Sequence, residues 1–286
     1  MEYKKKRVKM KTKKPVKPVV GSGEILSPGL RHAKPVVGFF SFTCCEGCGF
    51  TILFIDELTT LMQKLDIKYF HLIKEKNKTA NFDIVFVEGA ITTNKDAEEL
   101  KKIRTKSKLV VALGACACHG GIPAMRNFIE NSELGKYIYN QQMLKDSIEA
   151  QPIDKIIKVD YYMYGCPIIK SEFTEFINGY LEGKMIKEFE GPVCNQCPRR
   201  GVNCYLRDKK VCLGAVTHGG CNATCIRESI PCIMCRGPLD NANFPAEIAL
   251  FKSWGLGEKD VMAKLSKFGE QKLEKTILKK DDQTKS

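Results

Sequence analysis

VVGFFSFTCCEGCGF, residues 36–50, is the stretch on which the reading of the chain turns. Val36 to Phe42 is a short apolar run with the length and composition of a buried strand. Thr43, Cys44, Cys45, Glu46, Gly47, Cys48 and Gly49 then make a loop of small and polar residues. From Phe50 to Leu65 the apolar positions Ile52, Ile55, Leu58, Met62 and Leu65 recur at helical spacing, which predicts a single helix over 50–65. Strand, cysteine loop and helix form one unit.

Working outward, the unit recurs. Ile67 to Ile73 reads as a strand, Phe82 to Val87 as a stronger one ending in Glu88-Gly89, and Ala97 to Ile103 as a helix. Leu109 to Leu113 is a further strand, ending in Gly114, Ala115, Cys116, Ala117, Cys118, His119, Gly120 and Gly121. Ile156 to Tyr162 is the last, ending in Gly165-Cys166-Pro167 before a helix from Ile169 to Leu181. Alternating strands and helices predict an α/β domain with a parallel sheet and helices on both faces. In such a sheet the C-terminal strand ends share one edge, where ligands bind at the switch point. Cys45, Cys48, Cys116 and Cys166 all follow predicted strands, so residues far apart in sequence converge on one site. A buried core cysteine is the ordinary reading of any one of them; four at equivalent strand ends, each close to Gly or Pro, fit a metal site better.

Further along, eight of the 14 cysteines fall between Cys194 and Cys235. They divide into Cys194, Cys197, Cys204 and Cys212, then Cys221, Cys225, Cys232 and Cys235, with Gly and Pro scattered among them and little apolar periodicity. A segment of this kind is expected to have almost no hydrophobic core of its own and to be held by thiolate-metal bonds. Disulfides would need an oxidising compartment, and the lysine-rich start carries no apolar leader segment or cleavage site. Zinc remains the competing reading. Zinc sites are mostly built from two CxxC knuckles, whereas each quartet here has one CxxC and two separate cysteines, a spacing that suits the four corners of an iron-sulfur cubane.

The 286-residue chain has a formal net charge of +13. Residues 1–18 carry nine Lys or Arg against Glu2, so +8 of that charge sits in a tail and only +5 is spread over the remaining 268 residues. The block reads as a solvated, disordered segment, and nucleic-acid binding is the minor reading of it. No run of 18 apolar residues is present, so no membrane span is expected. Glu258 to Leu278 is predicted to form an amphipathic helix that packs on the domain.

These motifs resemble the small subunit of nickel-iron hydrogenases, especially the cytosolic archaeal-type forms such as the F420-non-reducing and sulfhydrogenase delta-like group, over about Val36 to Leu278. The family's CxGC matches Cys45-Glu46-Gly47-Cys48, its strand-end EG matches Glu88-Gly89, its GxCAxxGG matches Gly114 to Gly121, and its GCP matches Gly165-Cys166-Pro167. The resemblance implies three 4Fe-4S clusters: proximal on Cys45, Cys48, Cys116 and Cys166; distal on Cys194, Cys197, Cys204 and Cys212; medial on Cys221, Cys225, Cys232 and Cys235. Cys194 stands where membrane-linked relatives have His, and Cys225 where they have Pro. An all-thiolate set suits low-potential traffic with soluble partners.

The same resemblance implies a nickel-iron large subunit as partner, further redox subunits of flavin or ferredoxin type, and a cytoplasmic location. Cys232 and Cys235 are followed by Arg236-Gly237-Pro238 with no later His, so the nickel site is expected on the partner. Cys44 and Cys118 are left over. Adjacent cysteines at Cys44-Cys45 also occur in the related iron-sulfur subunit of respiratory complex I, which makes a complex I-like relay the runner-up; a zinc-stabilised binding module is another alternative. Glu88 is a candidate for a proton path or for accepting backbone hydrogen bonds, and His119 and His218 are expected in surface or loop roles. The partner is expected to cover the sheet edge that includes Glu46, Glu88 and His119. The expected organisation is a basic tail over 1–34, a flavodoxin-like domain over 35–187 with the proximal cluster, an irregular iron-sulfur domain over 188–278, and a polar tail over 279–286.

Overall fold

The computed structural model describes residues 34–129, 133, 136, 145–184 and 188–268. The basic stretch before Lys34, the chain after Phe268 and the boundary at 185–187 lie outside the described residues.

Five parallel strands form the main sheet: β1 (Val36–Ser41), β2 (Asp66–Phe70), β3 (Phe82–Glu88), β5 (Ser107–Leu113) and β7 (Tyr161–Met163), in the order β2-β1-β3-β5-β7. The chain leaves β1 for β2 on one side and then crosses to β3 on the other, which creates a switch point between β1 and β3. Both faces are covered. Val37, Phe39, Ile84, Phe86, Val111 and Leu113 pack against α1 (Gly47–Leu53), α2 (Leu58–Gln63) and α5 (Lys170–Leu181) through Ile52, Leu61, Phe173 and Phe176. Val85, Val87, Val110 and Ala112 face α3 (Asn94–Thr105) and the short α4 (Gly114–His119) through Leu100, Ile103, Ala117 and Cys118. Burial on both faces explains why these strands read as continuous apolar runs.

Several elements differ from expectation. The single helix over 50–65 is two, because the chain turns at Phe54 and so brings both Ile55 and Leu61 into the core. β2 stops at Phe70, whose carbonyl accepts from Ile73 and Lys74 in a turn. The strand expected over 156–162 is confined to Tyr161–Met163. Just before it, the Asp160 carboxylate accepts the Val110 N–H at 2.9 Å, while Ile156 and Ile157 pack on the α3 face. An antiparallel pair, β4 (Ile91–Thr93) and β6 (Ser147–Gln151), was not expected.

The cysteine-rich segment has a core, contrary to expectation. Leu213, Val216 and Met234 come from within it and are completed by Phe244 and Phe251 of α7 (Phe244–Ser253) and Val261 and Leu265 of α8 (Glu258–Leu265). The only α-helix within that segment among the described residues is the single turn α6 (Thr224–Arg227). Packing and loop geometry therefore share the work of holding this unit.

Candidate metal centres

Strand register sets the first site. Ser41 pairs with Glu88, Glu88 with Leu113 and Leu113 with Met163, so four strand ends lie in one row across β1, β3, β5 and β7. Cys44, Cys116 and Cys166 each follow that row by three residues, with Cys45 and Cys48 in the same β1–α1 connection. The structure brings all five thiols within electrostatic reach of one another or of Glu88. Burial, joined by the Glu88 charge, raises the Cys44 thiol to about 12. Burial, with the Cys166 charge next, also raises Cys116 to about 12. Cys48 and Cys166 move upward too, again mainly through burial. Cys44 is thus a fifth thiol near this site.

Cys118 is different. Two residues apart on a helix point to nearly opposite sides, so Cys116 faces the site while Cys118 turns into the core, its Sγ against the carbonyls of Ala112 at 3.5 Å and Met163 at 3.6 Å. The leftover cysteine is a core residue.

Glu88 lies at the switch point, 4% exposed, and its two carboxylate oxygens accept the N–H groups of Cys48 at 3.0 Å and Gly49 at 2.8 Å. Burial pushes its pKa up and these two donors oppose the shift. Of the two expected roles, the structure shows the backbone acceptor: Glu88 anchors the start of α1 and with it the Cys48 sulfur. His119 departs from expectation. It is 2% exposed, and the Cα of Gly237 lies so close that a Cβ there would meet its Cδ2 at 2.3 Å. His218 is half-buried and stacks on Tyr164 with ring centroids 4.4 Å apart. Both histidines join the sheet domain to the cysteine-rich unit. Glu88 and His119 are interior, so of the three residues expected on a partner-covered edge only Glu46 remains there. Glu46 has a left-handed backbone with φ 62° and pairs with His71 at 2.7 Å.

The second and third groups occupy the cysteine-rich unit. Cys194 is raised to about 11 by burial and then by its neighbours Cys212, Cys197 and Cys204. Cys235 is raised to about 11 by burial, with Cys225 and Cys221 among its charged neighbours. Cys232 is raised to about 12 by burial and lies between the groups: its N–H donates to Cys212 Sγ at 3.4 Å, and Cys235 is among its neighbours. Cys166, in turn, is among the neighbours that act on the Cys235 thiol. The three groups follow one another, with Cys166 beside Cys235 and Cys232 bonded to Cys212.

The donor sets fit iron-sulfur clusters. Each is all-thiol, and glycine backbone lines the space beside the sulfurs: a Cβ on Gly114, φ +79°, would meet Cys48 Sγ at 2.3 Å, and one on Gly214 would meet Cys194 and Cys212 Sγ at 3.5 and 3.7 Å. Among the described residues no three His, Cys, Asp or Glu side chains are gathered tightly enough to share a single ion.

Missed in the sequence was Arg236, 2% exposed and bonded to both oxygens of Glu172 at 2.9 and 3.0 Å. Also missed was Glu247, 6% exposed and raised to about 7 by burial. Arginine beside a cysteine and a glutamate in a helix carry no local signal of burial.

A parallel sheet whose thiols gather at the switch point, joined to a unit of eight further cysteines, defines an iron-sulfur electron carrier. The family model of the NADH ubiquinone oxidoreductase 20 Kd subunit matches residues 45–180. Sulfhydrogenase 2 subunit delta of Pyrococcus furiosus is 33% identical over 236 residues, covering 81% of this chain and 98% of the relative. A subunit of the F420-non-reducing hydrogenase vhu of Methanocaldococcus jannaschii is 31% identical over 238 residues, covering 72% and 83%. The NiFeSe hydrogenase structure from Desulfovibrio vulgaris Hildenborough shares the fold, with TM-score 0.51 at 17% identity over 74% of this chain and 95% of that one. The chain belongs to the family of iron-sulfur hydrogenase small subunits, the electron-transfer subunits of hydrogenases whose catalysis lies in a partner. No helix among the described residues is long and apolar enough to cross a membrane.

Proposed function

We propose that this chain is the electron-transfer small subunit of a cytoplasmic nickel-iron hydrogenase, standing between the nickel-iron site of a large subunit and a soluble carrier or further redox subunits of flavin or ferredoxin type. The observation that supports the reading is the succession of thiol groups from the sheet edge into the cysteine-rich unit, with Cys166 beside Cys235 and the Cys232 N–H bonded to Cys212 Sγ. Cys45, Cys48, Cys116 and Cys166 would hold a proximal 4Fe-4S cluster, Cys221, Cys225, Cys232 and Cys235 a medial one, and Cys194, Cys197, Cys204 and Cys212 a distal one. When bound, such clusters accept and release single electrons.

The residues of this chain do the positioning. Glu88 fixes the Cys48 turn, Gly114 keeps space beside the Cys48 sulfur, and residues 35–187 and 188–278 act as two units joined by His119, His218 and Arg236. The large subunit would cover the proximal side. Phe50 and Phe54 are 48% and 68% exposed there, and Phe42, Thr43, Glu46, His71, Asp96 and Glu99 line an open cleft of 440 Å³. Exposed aromatic side chains beside the proximal thiols support this placement.

Anaerobic purification of the native complex tests the reading. It should be brown, contain a nickel-iron subunit, and carry about 12 iron and 12 sulfide per copy of this chain, while the chain alone takes up no hydrogen. Two or more zinc with little iron, or hydrogen uptake by the isolated chain, overturns it.

A further inference from the structure

Arg236 follows the medial thiol Cys235 and is 2% exposed. Its guanidinium reaches three elements at once: Nε donates to the Gly219 carbonyl at 2.7 Å, Nη1 to the Tyr164 carbonyl at 2.9 Å, and Nη1 and Nη2 to the two Glu172 oxygens at 2.9 and 3.0 Å. Gly219 belongs to the cysteine-rich unit, whereas Tyr164 and Glu172 belong to the sheet domain. Burial disfavours the charged form of Arg236, while Glu172 favours it, and so do Cys221 and Cys235, both assigned above to the medial site.

A clamp between two units does not require ions. Replacing a buried ion pair by apolar residues of similar volume is often neutral or stabilising, because desolvation offsets the attraction. What an apolar clamp cannot supply is a fixed charge in a region of low dielectric, where its influence on a neighbouring redox group is strong. Arg236 holds one positive charge beside two medial thiolates, and Glu172 offsets part of it.

We propose that the Arg236–Glu172 pair sets the reduction potential of the medial centre, Arg236 raising it and Glu172 limiting the rise, so that Arg236 is a positioning and tuning residue for electron passage. The inference rests on the medial assignment made above. The couple concerned is a one-electron step: an electron arrives from hydrogen oxidation in the partner subunit and leaves toward the distal site, and Arg236 neither gains nor loses a proton.

The experiment is a redox titration of the medial signal by electron paramagnetic resonance in the anaerobic holo-complex, with iron content measured alongside. Arg236→Met should lower the potential, Glu172→Gln should raise it, and the double variant should return toward the unmodified value. Each single shift should correspond to about a tenfold change in the reduced-to-oxidised ratio, or about 59 mV for one electron. Arg236→Lys, which keeps the charge, should shift least. Single variants that move the potential in the same direction, or by less than twofold in that ratio with iron content intact, overturn the inference. If Arg236→Met loses its iron, Glu172→Gln decides, since its potential must rise. Absence of any medial signal from the unmodified complex overturns the medial assignment itself and this inference with it.

Discussion

Cys166, at the end of the parallel sheet, lies beside Cys235 of the cysteine-rich unit, close enough for its backbone and its charge both to act on the Cys235 thiol. Cys166 is assigned to the proximal site and Cys235 to the medial one. The two assigned ligand sets thus adjoin one another across the junction of the two units, where Arg236 and His119 also pack.

Gly114→Ala should remove the proximal centre selectively. Its Cβ would lie 2.3 Å from Cys48 Sγ in a backbone with φ +79°, so the sulfur must move. Iron should fall from about 12 to about 8 per chain, measured in the purified complex. Gly255→Ala, at φ +89° with nothing within 4 Å, is the control. It should cost about 1 kcal/mol of stability and leave iron content unchanged.

Cysteine substitutions separate ligands from bystanders. Cys118→Ser should leave cluster count unchanged, because its Sγ lies in the core against the carbonyls of Ala112 and Met163. Cys225→Ser should convert the medial centre toward a 3Fe-4S form with higher potential. Cys44→Ser should also retain three centres. Loss of a whole centre in that variant, read by electron paramagnetic resonance, would transfer the ligand role from Cys45 to its neighbour.

Glu247 gives a pH-dependent stability. Burial raises its carboxyl from the ordinary 4.5 to about 7, and Oε1 has no hydrogen-bond partner. The folded protein therefore holds this proton more tightly than the unfolded chain. The carboxyl costs nothing below about pH 4.5, progressively more up to about 7, and its full penalty above that. Glu247→Gln should be more stable than the unmodified protein by on the order of 2 kcal/mol at pH 8, and nearly equal to it at pH 5. Denaturant unfolding at the two pH values measures this.

The loops around Cys197 and Cys204 should recognise an acidic carrier. Arg200, Arg207, Lys209 and Lys210 are exposed there, and neutral oxygens hold the two arginines, Asn195 Oδ1 at 2.9 Å and Gly201 O at 3.1 Å. Val202 between them is 71% exposed. Electron transfer to an acidic ferredoxin-type protein should slow as salt rises. An Arg200→Glu, Lys209→Glu double variant should lower the low-salt rate constant about tenfold, leaving reduction of a small neutral dye unchanged.

Assembly with the large subunit should depend on Glu46 and Gly47. Glu46→Lys breaks the 2.7 Å pair with His71 beside the open cleft, and a side chain at Gly47 would approach Cys45 Sγ, 3.2 Å from its Cβ position. Both should reduce co-purification of the large subunit, whereas removal of residues 1–18 should not.

The sheet was legible because β1, β3 and β5 are buried on both faces and their sequences are dominated by apolar residues. Placing Cys45, Cys48, Cys116 and Cys166 together needed only the rule that strand ends share an edge. Less legible were features decided by distant partners. Nothing near Phe54 announces a break; the need to bury both Ile55 and Leu61 causes it. His119 looked like a loop residue because the surface that buries it, Gly237, lies 118 positions later. The core of the cysteine-rich unit was missed for a related reason: Leu213, Val216 and Met234 are too sparse to show a period, and Phe244 and Phe251 complete them from outside the segment.

Burial of the thiols also governs how the protein is made. Burial raises Cys44, Cys116 and Cys232 to about 12, which disfavours their thiolate forms. Neutral thiols are poor nucleophiles, so the newly folded chain is slow to cross-link or to react with oxidants. Each iron delivered must displace protons as it binds, and maturation is accordingly a proton-releasing reaction that acidification opposes.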